Sequence, residues 1–220
     1  MIAVVTCTGG RPELFELTKR WVDRQTVRPD VWVITNDVGD PVGDLPGYAR
    51  LHLIESQGAF HALSAALSFV PSGFDVVVME DDDWYAPDHV EKAVKQLRHH
   101  RIVQVHGEHR FHLPGQLRIK AGSASPIGRF VPGLASFRWE SIDDVIMMLG
   151  KNGRSRIHSY DGGTVVGIKG VGYGLPGRTG ATSKHNQRSK KMKRWKPDRD
   201  NNGFRSLLGV DADAYLSLLP

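Results

Sequence analysis

Asp75-Val-Val-Val-Met-Glu-Asp-Asp-Asp-Trp-Tyr-Ala-Pro87 passes within a few residues from unbroken apolar sequence to four consecutive carboxylates. Asp75–Met79 reads as a strand covered on both faces, because buried parallel strands lose the alternation of apolar and polar positions. Glu80, Asp81, Asp82 and Asp83 repel one another, and a hard divalent cation with oxygen ligands removes that penalty. In extended backbone Glu80 and Asp82 share one face and Asp81 and Asp83 the other. A cation therefore takes one alternate pair unless the chain turns. The competing reading is a solvated turn in which Asp83 or Asp88 caps a helix starting near Pro87.

Working outward, Ile2 to Thr6 is a short β-branched run and predicts a buried first strand, broken by Gly9-Gly10. Arg11-Pro12-Glu13 opens a helix, with Pro12 suited to its first turn and Glu13 to the positive end of its dipole. Leu14, Phe15, Leu17, Trp21 and Val22 give that helix one apolar face. Val31–Thr35 and Ala49–Ile54 predict the second and third strands. Gly58–Phe69, rich in alanine, predicts a helix that packs closely on the sheet, and Pro87 to about His100 predicts another. Strands alternating with helices predict an α/β fold, a mostly parallel central sheet flanked by helices with ligands at the carboxyl edge of its strands.

Past residue 100 the pattern loosens. Ile102–Val105 predicts a strand, Phe111–Phe137 short strands and turns, Trp139–Leu149 an amphipathic helix, and Leu207–Leu219 a closing helix. Gly162–Gly180 holds eight glycines among nineteen residues. That density predicts tight turns or close backbone approach to a ligand rather than a regular element. No repeat or linker interrupts the 220 residues, so one domain over 1–220 is expected, regular to about residue 100 and looser in pattern from 101 to 220.

Composition narrows the class. Hydrophobic residues at 40% and charged residues at 24% are ordinary globular values. No apolar run approaches the roughly 20 residues of a membrane span, no basic segment precedes the first apolar stretch, and Cys7 stands alone. A cytoplasmic address is expected. The net charge of +5 is local: eight basic residues (Lys184, Arg188, Lys190, Lys191, Lys193, Arg194, Lys196 and Arg199) fall in the segment closed by Asp200. Such a cluster serves either as a solvated loop or as a contact for an anionic partner. His106, His109 and His112 repeat every three residues, but with no cysteine nearby and a strand-like context they make a weak zinc site.

Val76–His89 resembles the Asp-x-Asp region of family-2 glycosyltransferases with the GT-A fold, where an apolar strand runs into an acidic cluster followed by an aromatic residue and a proline. Gly58-Ala-Phe-His-Ala-Leu-Ser-Ala-Ala-Leu67 is similar to the helix that precedes that strand. Ile2–Leu14 resembles the family's first strand and nucleotide-contacting turn, and Ile34-Thr-Asn-Asp37 stands where a base-contacting acidic turn is usual. Four motifs in order cover about residues 1–100. The remainder matches loosely.

The resemblance implies a GT-A, Rossmann-like fold and a sugar transferred from a nucleoside-diphosphate donor, UDP-sugar first, to a hydroxyl acceptor. It implies Mn²⁺ or Mg²⁺ held by Asp82, by Glu80 where aspartate is usual, by Asp83, and by a late histidine, His185. Thr6, Thr8, Arg11, Asp37, His61 and Asp81 fall on the nucleotide-sugar side, with Asn36 replacing a common aspartate. An inverting transfer needs a carboxylate base; Asp161, ahead of the glycine-rich stretch, is preferred over Asp143 and Asp144. Compactness and the 184–199 cluster suggest a large anionic acceptor, either a hydroxymethylated base in bacteriophage DNA or a surface glycan. The rival readings are a nucleotidyltransferase, which should carry a stronger glycine-rich basic signature than Gly9-Gly10-Arg11, and a non-catalytic nucleic-acid-binding module.

Overall fold

A computed structural model describes residues 1–37, 39, 41–55, 59–106, 109–113, 117–120, 135–138, 157–161, 163–169 and 196–219. The first half runs β1 (Ile2–Thr8), α1 (Pro12–Asp23), β2 (Val31–Asn36), β3 (Ala49–Leu53), α2 (Ala59–Ser68), β4 (Asp75–Val78), β5 (Trp84–Tyr85) and α3 (His89–Leu97). Six strands follow: β6 (Ile102–His106), β7 (His109–His112), β8 (Leu117–Lys120), β9 (Ala135–Arg138), β10 (Ile157–Asp161) and β11 (Val165–Lys169). The chain ends with β12 (Lys196–Pro197) and two helices, α4 (Asn202–Leu208) and α5 (Asp211–Leu216).

Seven strands form the main sheet in the order β10-β6-β9-β4-β1-β2-β3. Every neighbouring pair is parallel except those made by β9, which runs antiparallel to both β4 and β6. The apolar central strands divide their side chains between two cores. Val4, Trp32, Ile34, Val77 and Met79 join one core with residues of α1, α3, α4 and α5. Ala3, Val5, Val33, Val76 and Val78 join another with Leu63, Ala66 and Leu67 of α2. Both faces are covered, so an unbroken run such as Val76–Met79 is what the position demands. Ala62 and Ala66 are buried on α2, as the small-residue reading of that helix expects.

A second sheet has the order β12-β8-β7-β11-β5. Here two expectations are corrected. Val165–Lys169 lies inside the glycine-rich stretch yet forms β11, pairing antiparallel with β5 and parallel with β7. Val165, Val166 and Ile168 are buried, and burial with hydrogen bonding on both sides outweighs the single glycine between them. The closing helix is two helices. Gly209 takes φ 59, a left-handed value that ends α4. The start of α4 lies earlier than the apolar spacing suggests, because Asp198 accepts hydrogen bonds from the amides of Gly203 (2.7 Å) and Phe204 (3.1 Å). Smaller differences are at boundaries: α3 begins at His89, after a turn in which the His89 amide donates to the Ala86 carbonyl (3.1 Å). The helix expected over Trp139–Leu149 lies outside the described residues.

His89 supplies a pH test. It is buried at the start of α3, with Nδ1 2.9 Å from the Thr164 hydroxyl and its ring against Tyr85. Its Nε2 has no partner among the described residues. Burial pushes the imidazole down to about 3, with Asp88 opposing and Lys92 assisting. An unfolded histidine takes its proton near 6.5. The stabilisation from neutral His89 is therefore complete above pH 6.5 and lost as pH falls toward 3, at about 1.4 kcal/mol per pH unit. Between pH 6.5 and 5 this residue should remove about 2 kcal/mol of unfolding free energy. Urea titrations at the two pH values should show that slope flattened in His89→Asn, which keeps a polar group facing Thr164.

Candidate functional site at the carboxyl edge of the sheet

The parallel register brings three strand ends together. Val5 pairs with Val78, and Thr8 with Asn36, so the residues after β1, β2 and β4 emerge side by side. The Met79 amide donates to the Val5 carbonyl (2.9 Å) and the Asp37 amide to the Thr8 carbonyl (3.2 Å), extending the sheet to its edge.

Strand β4 ends at Val78 and the chain then turns through Asp81 and Asp82 before β5. The turn overrides strict alternation. Glu80, Asp82 and Asp83 each present an oxygen within 4.8 Å of the others. Oxygens bonded to one divalent cation at 2.1–2.5 Å lie at most about 5 Å apart, so three hard donors at this spacing suit Mg²⁺, Mn²⁺ or Ca²⁺. Glu80 and Asp82 are half-buried, while Asp83 is buried. The turn is closed by Tyr85, whose hydroxyl accepts the Glu80 amide (2.7 Å), and the Ile168 amide donates to Asp83 Oδ1 (3.1 Å).

Asp81 turns away from that group. It is 2% exposed and its carboxylate accepts from the Thr8 hydroxyl (2.7 Å) and the Arg11 guanidinium. Burial lifts its carboxyl to about 6, with Arg11 and Thr8 pulling it down and Asp82 adding to the rise. Burial also works against the charge on Arg11, but Asp81 and Asp82 hold the guanidinium above its ordinary value. Arg11 reaches Asp82 as well, at 3.3 Å. It thus bridges a buried carboxylate and a half-exposed one at the mouth of the acidic turn.

The remaining sequence-derived residues divide. Thr8, Arg11, Asp37 and the four carboxylates gather at one edge. Asp37 sits so close to the turn after β1 that a Cβ on Gly9 would lie 1.8 Å from its Oδ1. Thr6 is kept below the edge: it is fully buried and its hydroxyl accepts the Trp32 indole N–H (3.0 Å). His61 is exposed on the first turn of α2. The backbone of Asp161 ends β10, its side chain lies outside what is described, and His185, Asp143 and Asp144 lie wholly outside it. Tyr85, Ile168, Asp211 and Tyr215 were missed as supports of the acidic turn. Only the aromatic pair after the acidic run gave any signal; a main-chain amide and residues some 130 positions away give none.

The fold is of the GT-A glycosyltransferase type. S. aureus TarS residues 1–349, in a structure with UDP-GlcNAc, superimpose with a TM-score of 0.55 at 14% identity, covering 79% of this chain and 60% of that one. A longer TarS structure gives 0.54 at 10% identity over 76% of this chain and 36% of its own. In sequence, an uncharacterized glycosyltransferase of Bacillus subtilis (strain 168), YwdF, is 33% identical over 104 residues, 44% of this chain and 38% of YwdF. The chain therefore matches well under half the length of that relative. No family model matches it.

Proposed function

We propose that this protein transfers a sugar from a nucleoside-diphosphate donor, UDP-sugar first, to a hydroxyl acceptor. One observation carries the reading: three carboxylates converge beside an arginine–aspartate pair at the carboxyl edge of a sheet covered on both faces. The sequence likeness to a glycosyltransferase and the fold likeness to a UDP-GlcNAc-bound one point the same way. Glu80, Asp82 and Asp83 would hold Mn²⁺ or Mg²⁺, with His185 a further candidate ligand. Such a cation, when bound, neutralises charge developing on the leaving diphosphate.

The chain's own residues do the rest. Arg11 lies within reach of Asp81 and Asp82 and offers its positive charge where the diphosphate would lie. Asp81, saturated by Thr8 and Arg11, sets the guanidinium in place. Asp37 and Thr8 line the approach expected for the nucleoside, and Asp161 is the proposed base toward the acceptor. The acceptor would be anionic, a hydroxymethylated base in phage DNA or a surface glycan, met by the 184–199 basic cluster. Residues 1–220 would act as one catalytic unit. Among the described residues no helix is long and apolar enough to cross a membrane.

A panel of nucleotide sugars with Mn²⁺, read by thermal shift and by release of nucleoside diphosphate, tests this. At least one UDP-sugar should raise the melting temperature and be slowly hydrolysed. A panel in which no donor does either would sink the reading.

A further inference from the structure

We propose that the C-terminal helix α5 is a clamp on the acidic turn, with Tyr215 and Asp211 as positioning residues that set its cation affinity; this rests on the cation reading above. The contacts fall on three consecutive residues. Tyr215, fully buried, donates its hydroxyl to the Asp83 carbonyl (3.2 Å). Asp211 Oδ2 accepts the Trp84 indole N–H (2.9 Å) and an Arg24 N–H (2.5 Å). Arg24 donates in turn to the Tyr85 carbonyl (2.9 Å), and its guanidinium lies over the rings of Trp21 (4.1 Å) and Trp84 (5.4 Å). Asp83, Trp84 and Tyr85 are thus each gripped by α5 or by the arginine it orients.

The clamp is itself braced. The Trp21 indole donates to the Tyr215 hydroxyl (2.7 Å), and the two rings stack. Neither Tyr215 nor Asp211 belongs to the carboxylate group that could hold a cation. Both act on the backbone and indole that fix where Asp83 stands, while the Tyr85 hydroxyl carries the same constraint to the Glu80 amide. Glu80, Asp82 and Asp83 repel one another, so a turn held only by its own backbone would splay. Held from α5 on one side and by the Ile168 amide on the other, the three oxygens are kept at cation spacing before any cation arrives. Preorganisation of this kind governs affinity, and loss of an outer partner typically costs 10–100-fold in metal binding.

The test titrates Mn²⁺ into the full chain without donor, following free Mn²⁺ by its electron paramagnetic resonance signal, with melting temperatures measured in parallel. Tyr215→Phe keeps the ring and removes the hydroxyl, and should weaken Mn²⁺ binding about 10-fold. Asp211→Asn should act in the same direction. Trp21→Phe breaks the brace but leaves the Tyr215 hydroxyl on Asp83; it should lower the melting temperature without weakening Mn²⁺ binding to the same degree. Wild-type affinity in Tyr215→Phe overturns the clamp, and Asp211→Asn decides alone if that variant does not fold. A wild type that binds no Mn²⁺ removes the cation reading itself, and the clamp's role with it.

Discussion

Asp82→Asn should abolish donor-dependent turnover, by about 10²–10³-fold, while leaving the stability of the empty protein within about 1 kcal/mol of wild type. Asp82 is half-buried, and Arg11, 3.3 Å from it, keeps its closer contact with Asp81 when Asp82 is neutral. Removing one charge also relieves repulsion with Glu80 and Asp83, whose oxygens lie within 4.8 Å. Stability therefore has little to lose. Cation binding has much to lose, because two of three charged donors remain and a neutral amide oxygen is a weaker ligand for a hard ion. The signature is a split: unchanged melting without ligands, and loss of the shift produced by Mn²⁺ with a UDP-sugar. Asn at 82 with the ligand-induced shift intact would move the centre of the site elsewhere.

The place of the acidic run at the end of a buried strand was legible in the sequence. Val76–Met79 is as apolar as a doubly covered strand must be, and the four carboxylates directly after it mark the point where the chain leaves the core. The mostly parallel sheet followed from short apolar runs separated by helix signals, whereas the pairing of β1 with both β2 and β4 had no local signal. What the sequence hid was the turn at Asp81–Asp82. Strand alternation pairs Glu80 with Asp82 and sets Asp83 apart, whereas the turn returns Asp83 to them and withdraws Asp81 to Arg11 and Thr8. Thr6 was misplaced for a related reason. Thr6 shares a face of β1 with Thr8 but lies two residues deeper, where its hydroxyl accepts the Trp32 indole N–H rather than facing the edge.

The second half was legible only where local signals ruled. Glycine density argued against a strand at Val165–Lys169, but pairing to β5 and β7 is non-local and leaves no trace in that segment's own composition. The same holds for Asp198, whose carboxylate caps a helix starting several residues later. Gly209 breaks the helix at φ 59, while the apolar spacing on either side of it reads as one continuous helix.

The largest stability effect should come from the junction that those missed elements form. Phe204 of α4 is fully buried, edge-on to Phe111 of β7 (5.2 Å between centroids) and to Tyr215 of α5 (6.2 Å). Tyr215 continues the stack to Trp21 of α1, so one ring ties the second sheet, both C-terminal helices and the main core. Phe204→Ala should cost about 3–5 kcal/mol, from lost burial and from the cavity left between rings that cannot close on it. Against a domain stability of roughly 5–15 kcal/mol this is a large fraction. Urea unfolding should remain a single transition with its midpoint lowered and its slope unchanged, because the aromatic chain belongs to the core that also contains Val4, Trp32 and Val77. Phe204→Leu, which refills most of the volume, should recover much of the loss. Two separated transitions would instead make α4 and α5 an independently melting appendage. In that case they could not hold Asp83 in place at temperatures where the sheet is still folded, and the acidic turn would lose the Tyr215 hydrogen bond while keeping those with Tyr85 and Ile168.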